Sequence, residues 1–425
     1  MLPSETMEAA RTKRAMTTEN AARLPRRTHF LSFAGARLSV RGRAIPAWVL
    51  LAAGFVASRL VSTGILAGAW AFSLGAGAAL SHANGGAGFL NFLQSWDGLH
   101  YRQIAEHGYP NQLPIDAAGN VQRNSWAFLP LYPYLVRGVM LVPGLGYPVA
   151  AILVSVLFGA AATVAMHRLL LPHFGAAGAL WGALFFCFGP MSFLLQVAYA
   201  DSVFLFFMFC SVILMMSRRW LLMIPFATAA AFAHPGAIAL ALAIGIVCLA
   251  RLLRKDPTFS HREKVRAGVA IAAITVAGVA WPIIAGFVTT DPSAYFDSET
   301  AWWTDYIGHT NFIPFTPWFI FGWHYGGAAG VALIAAGLAA FIFWLTRRST
   351  RAFGDDLIAY TGSYVAYLVA VFLPQQSLVR MLVPLTPLLG HPALSATPLR
   401  RRVTIAVSIL LQPFAVLLFW VMWPP

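Results

Sequence analysis

Apolar runs of about 15–25 residues, parted by short polar breaks, recur along almost the whole chain after position 45. Eleven spans are predicted: 46–68, 147–167, 176–198, 202–217, 220–234, 236–250, 267–289, 326–346, 357–374, 381–396 and 403–423. In lipid every backbone donor and acceptor must be satisfied within the segment, so these spans are expected to be α-helices. The alternating ten-residue segments of a membrane β-barrel are absent from the sequence. No repeat of fixed period is visible, which gives a repeat-built transporter no support. The expected fold is an all-α polytopic membrane protein: one domain over 46–425 behind a polar, basic tail over 1–45. The tail is too long for the n-region of a signal peptide and is expected to be disordered and cytoplasmic.

Charge gives the spans a direction. With the N-terminus inside and the spans alternating, 24 of the 29 Lys and Arg fall on the inner side, nine of them in the tail. Eight of the 15 acids fall outside. The net charge of +14 therefore follows membrane orientation and supplies no argument for nucleic acid; the tail is expected to touch anionic lipid. Two passes must fit between Arg218/Arg219 and the basic cluster at 251–255, and His234-Pro235-Gly236 is the natural break between them. Cys187, Cys210 and Cys248 lie inside apolar runs with no metal-ligand spacing and read as small core residues.

Two outer loops are large. The second, about 290–325, is rich in aromatics such as Tyr295, Phe296, Trp302, Trp303, Phe312 and Trp318, which suit either an interfacial belt or a platform for a lipid chain or a sugar. Its Asp297, Glu299, Asp305 and His309 read as solvated. The first loop, about 69–146, carries the densest polar cluster, from Ser95 to Tyr109. A helix over Gln94–Ala105 would put Asp97, His100 and Tyr101 on one face, with Leu93 and Ile104 turned to the membrane. A carboxylate beside an imidazole suits general-base work on a hydroxyl, although an outer-loop helix with solvated polar residues would read the same way. Two such groups are too few for a metal site, so no metal is assigned and a divalent ion has no support.

Trp96-Asp97-Gly98-Leu99-His100-Tyr101, followed by Ile104-Ala105 and Gly108-Tyr109, resembles the signature of the GPI mannosyltransferase II (PIG-V) family and its bacterial membrane relatives, of the GT-C superfamily. Phe128-Leu129-Pro130-Leu131-Tyr132-Pro133, Tyr199-Ala200-Asp201-Ser202 and Arg380-Met381-Leu382-Val383-Pro384 resemble further family elements in the same order. At 233–236 the chain has Ala-His-Pro-Gly where relatives tend to carry T-R-x-x-G, so donor contact at His234 is open and a satisfied core histidine is the other reading. The resemblance implies a GT-C architecture with an extracytoplasmic active site, a polyprenyl-phosphate-mannose donor, no further cofactor and an inverting transfer with Asp97 as base. The partners implied are the lipid-linked donor, a glycan, glycolipid or protein acceptor, and membrane lipid.

Trp96, His100, Tyr101, Asp201, His234, Arg380 and Arg59 are the expected substrate contacts. Arg380 would meet the leaving phosphate or else snorkel to the interface. Asp201 would hold an acceptor hydroxyl, pair with Arg380 or sit solvated in a turn. Arg59, in mid-span, needs a partner and suits a structural ion pair as well as a substrate. The Ala- and Arg-rich composition points to a bacterial plasma membrane, whereas a eukaryotic setting would place the protein in the endoplasmic reticulum. A lipid or glycolipid flippase is the rival from another class; it predicts charges near the midplane of several spans, and Arg59 is the chief one found.

Overall fold

A computed structural model describes residues 37–40, 43–83 and 88–423. Residues 1–36 of the expected tail lie outside the described residues. Contacts divide the chain into two units, Met1–Trp48 and Val49–Pro425. In the first, β1 (Arg37–Val40) and β2 (Arg43–Pro46) form an antiparallel hairpin in which Arg37 faces Pro46 and Val40 faces Arg43. The end of the expected disordered tail is therefore ordered; alternation of Leu38 and Val40 with polar neighbours is the local strand signal.

The second unit is a bundle of helices. Its long elements are α1 (Ala47–Leu74), α2 (Asp97–His107), α3 (Leu131–Met140), α4 (Tyr147–Phe188), α5 (Asp201–Met216) and α6 (Trp220–Ala233). There follow α7 (Ala239–Leu253), α8 (His261–Thr289), α9 (Ala294–Thr300), α10 (Pro317–Thr346), α11 (Gly354–Val371) and α12 (Pro398–Val416). Among the described residues six helical segments are long and apolar enough to cross a membrane: α1, α4, Pro235–Leu253, α8, α10 and Pro398–Met422. The shorter α5 and α6 are apolar too. α5 packs between α4 and α6 and is hydrophobic all round, as a helix enclosed by others must be. The apolar window of α10, in contrast, is not buried within the protein at all, which leaves that surface to a bilayer.

Three expected spans are redrawn by Pro and Gly. The run 381–396 is no continuous helix: a turn at Leu378–Met381 leads into a 3-10 stretch, Val383–Gly390, and a further turn, Pro392–Ser395. Pro384, Pro387 and Pro392 remove backbone donors there and prevent an α-helical ladder. The span placed over 176–198 stops at Phe188, before Gly189-Pro190, and a buried 3-10 turn over Ser192–Leu195 follows. α4 joins the second and third expected spans across a kink at Gly175, where φ is +65°. Glycine adopts that conformation without the steric penalty of a Cβ.

Candidate active site

The polar cluster of the first loop begins its helix later than its composition predicts. Trp96 sits at φ +61°, ψ −120°, outside helical space, so α2 starts at Asp97 rather than Gln94. The indole of Trp96 is not among the residues lining the cavity described below: its Nε1 donates to Trp420 O at 2.9 Å, and Trp420 Nε1 donates in turn to Phe92 O at 3.1 Å. The residue expected to touch substrate is thus an anchor between the C-terminal helix and the start of α2. Gly98 lets the helix approach its neighbour: a Cβ there would lie 3.4 Å from Ala198 O, and the Gly98 carbonyl accepts from Tyr147 Oη at 2.8 Å.

Leu93 and Ile104, expected to face lipid, are buried in the protein; Ile104 lies on α2, which packs against α3. The spacing of Asp97, His100 and Tyr101 is helical as expected, yet the three side chains part company. Asp97 and Tyr101 line a cavity of about 160 Å³. Tyr101 is buried edge-on to Phe128 and Tyr132, and burial pushes its hydroxyl well above the usual phenol range. His100 instead stacks on Phe128 at 4.7 Å and meets Trp302 edge-on at 5.4 Å. Burial lowers its imidazole pKa against the opposing pull of Asp97, and Arg123 lowers it further. The neutral ring keeps a buried Nδ1 with no partner among the described residues.

The second carboxylate comes from the start of α5. Asp201 accepts from Arg380 Nε at 3.0 Å and pairs with its Nη2 at 3.0 Å, while Arg380 Nη1 donates to Asp97. The guanidinium also lies 4.3 Å from the centre of the Tyr199 ring. Arg380 is only 5% exposed, so this is a buried Asp–Arg–Asp cluster, not a snorkelling arginine or a solvated turn acid. Its three members stand at the start of α2, the start of α5 and the turn after α11. Two carboxylates on one guanidinium leave the trio with a formal charge of −1. Its Asp97 and Arg380 face the cavity.

His234 ends α6 in an extended conformation. Its Nδ1 accepts from Gly236 N at 3.0 Å, which leaves the ring proton on Nε2, 3.2 Å from Met381 Sδ. The ring stacks on Phe204 at 4.6 Å and forms part of the cavity wall. Both ring nitrogens are therefore engaged within the protein, the satisfied-histidine reading. Arg59 is outside this site. It is buried in α1 and donates to Ser192 O at 2.6 Å and Cys187 O at 2.9 Å. Backbone carbonyls, and not the expected acid or substrate, satisfy it.

The aromatic loop divides between cavity wall and exposed surface. Tyr295, Phe296, Trp302, Trp303 and Phe312 line the cavity, and Phe296 stacks on Phe312 at 5.0 Å. Phe315 and Trp323 are exposed. α9 is fixed beneath the loop by a buried cluster of Trp126, Leu129, Trp281, Ala285, Ala294 and Tyr295, and by the Asn124–Ser298 hydrogen bond of 2.9 Å. Asp305 and His309 are exposed, as expected of solvated residues. Glu299 is not: it is half-buried and faces the cavity beside Asp97 and Tyr295. Burial pushes its carboxyl up to about 7; the Tyr295 hydroxyl pulls the other way and the Asp97 charge adds to the rise. The i, i+4 spacing of Tyr295 and Glu299 was the available signal for it. Among the described residues no group of three or more His, Cys, Asp or Glu is arranged to hold a metal ion.

A family model described as Mannosyltransferase (PIG-V) matches residues 78–274. GPI alpha-1,6-mannosyltransferase 2 of Mus musculus is 32% identical over 173 residues, covering 38% of this chain and 33% of that protein. The protein of the same description from Rattus norvegicus is 30% identical over 202 residues, covering 44% of this chain and 38% of that one. The chain thus spans about a third of the length of the curated relatives it matches. The crystal structure of the Archaeoglobus fulgidus oligosaccharyltransferase complex with Zn and sulfate aligns at a TM-score of 0.40 and 12% identity, over 75% of this chain and 46% of that chain. Asp97 and Asp201 lie inside the family match, while Glu299 and Arg380 lie beyond it. Over 78–274 the chain is therefore similar to the PIG-V mannosyltransferases, and its long apolar helices mark it as an integral membrane protein.

Proposed function

We propose that the protein is a membrane glycosyltransferase of GT-C type that moves mannose from a polyprenyl-phosphate-mannose donor to an extracytoplasmic glycan, glycolipid or protein, with inversion at the anomeric carbon. The observation that carries the reading is the pairing of Asp97, from the family-matched segment, with a buried Arg380 at the wall of a cavity. A transfer of this kind needs a base for the attacking hydroxyl and a cation for the departing phosphate, and the cavity offers one of each. The acceptor oxygen forms a bond to the anomeric carbon as its proton passes to Asp97 Oδ. The bond from that carbon to the phosphate oxygen breaks on the opposite face, and its electron pair leaves with the lipid phosphate. No second carboxylate nucleophile is required for a single displacement, unlike the two-step route of retaining glycosidases.

In this reading Arg380 has two states. Without donor it neutralises Asp97. A donor phosphate, itself a strong acceptor for a guanidinium fork, takes over Nη1 while Asp201 keeps Nε and Nη2 in place. Asp97 is thereby released as a base when donor is present. The leaving group needs charge compensation rather than a proton, and the reading assigns that to Arg380 without a further cofactor.

The test supplies membranes with labelled polyprenyl-phosphate-mannose and compares wild type with Asp97→Asn. Loss of transfer by about a hundredfold or more is expected. Equal transfer by both proteins would sink the base assignment. Translocation of the labelled lipid by a wild type that transfers no mannose would replace the enzyme with a flippase.

A further inference from the structure

Within the cavity, Glu299 is a carboxyl that the transfer chemistry leaves unused. Its helix, α9, is held by the buried Trp126–Trp281 cluster, so its position at the wall is part of the packed fold. A carboxyl at the wall of a mostly apolar cavity is costly unless something polar meets it. The Tyr295 hydroxyl gives it one polar neighbour. A carboxyl group has acceptor capacity for more than one, and its surface is open to the cavity.

The rings around it have a matching chemistry. Trp302 and Trp303 line the same cavity, and the Trp302 Nε1–H is buried with no partner among the described residues. Indole faces take the C–H face of a pyranose, and a carboxyl takes its hydroxyls; the two together suit a small ligand with one apolar face and several hydroxyls. Anionic groups do not fit beside Glu299, because Asp97 already supplies negative charge there. A neutral, hydroxyl-rich ligand does.

We infer that Glu299, with the indole of Trp302, holds the hydroxyls of the donor's hexose inside the cavity, while Arg380 holds the donor's phosphate. This rests on the proposed transferase reading and names a sugar-binding residue for it. Glu299 touches the substrate without taking part in bond making. The division of labour is the testable part: one residue should sense the sugar and the other the phosphate.

The experiment uses the full chain purified in detergent and two probes, polyprenyl phosphate and polyprenyl-phosphate-mannose. Wild type should bind the sugar-bearing lipid more tightly. Glu299→Ala should lose that increment, about tenfold in Kd, with polyprenyl phosphate binding unchanged. Glu299→Gln, which keeps a hydrogen-bonding amide, should retain most of it. An increment that survives Glu299→Ala overturns the inference, including the case in which transfer is nonetheless lost, which would put the hydroxyl on the acceptor. Equal weakening of both probes by Glu299→Ala also overturns it, since that marks a structural role. A wild type that binds neither lipid overturns the transferase reading itself, and is distinguished from the other failures by the wild-type titration alone.

Discussion

Arg380 Nη1 donates to Asp97 Oδ2 across 283 positions of chain, joining the turn after α11 to the first residue of α2. With Asp201 on its other side, the guanidinium holds two helix starts together and fixes where the loop carboxylate points. The pair is at once a structural tie and the polar centre of the cavity, and the two roles separate in their response to mutation.

Asp201→Ala removes the partner that holds Arg380 by Nε and Nη2. Breaking a buried pair from one side leaves an under-compensated charge, so a loss of about 3–5 kcal/mol in unfolding free energy is expected. Denaturant unfolding in detergent measures it. Arg380→Lys keeps the charge and loses the fork; it should fold better than Arg380→Ala yet bind polyprenyl phosphate less tightly than wild type. Wild-type stability in Asp201→Ala would mean that Asp97 alone holds the arginine.

Arg59→Met should lower stability while leaving transfer per folded molecule unchanged. Hydrogen bonds from a charged donor are worth about 1.5–3 kcal/mol each, and the carbonyls of Ser192 and Cys187 would lose theirs. Thermal unfolding and accumulation in membranes read the first effect, a transfer assay normalised to folded protein the second. Intact stability with lost transfer would restore the substrate-contact reading of this residue.

Trp96→Phe keeps an aromatic ring and deletes the donor to Trp420 O. The expected result is a stability loss of about 1 kcal/mol and a fall in transfer, since α2 begins one residue later at Asp97. A transfer rate equal to wild type would show that the anchor does not govern Asp97.

Glu299 predicts a pH dependence. The acid, Tyr295 and Tyr367 face one another, with Asp97, Tyr101, His234 and Arg380 also on the cavity wall. Its folded pKa, about 7, lies above the ordinary 4.5, so the folded state binds a proton that the unfolded chain releases. Its contribution to stability is full below about 4.5 and declines as pH rises through 7. Above that pH the carboxyl also lacks the proton that the proposed sugar contact would use. Donor binding by wild type should weaken from pH 6 to 8 in about that range, and Glu299→Gln should flatten the profile. A profile unchanged by Glu299→Gln would remove Glu299 as the titrating group.

Much of the membrane architecture was readable locally. A long apolar run such as 267–289 contains its own instruction, since a backbone in lipid must bond to itself, and α8 forms there. The failures are also physical. At 381–396 apolar composition outweighed Pro384, Pro387 and Pro392 in the expectation, and the missing donors prevailed in the fold. Trp96 offered no sequence sign of a positive φ, a conformation that only its surroundings impose.

The chemistry divides in the same way. The spacing of Asp97, His100 and Tyr101 is a property of helical geometry, so the sequence by itself determined that they share a turn. Burial and partners depend on what other segments bring. Only the tertiary structure set Asp97 and Asp201 on one guanidinium, turned His100 onto Phe128, satisfied Arg59 with carbonyls and put Glu299 into the cavity. The reason is range: a helix repeats over 3.6 residues, whereas desolvation and ion pairing are decided by groups scores to hundreds of positions away in sequence.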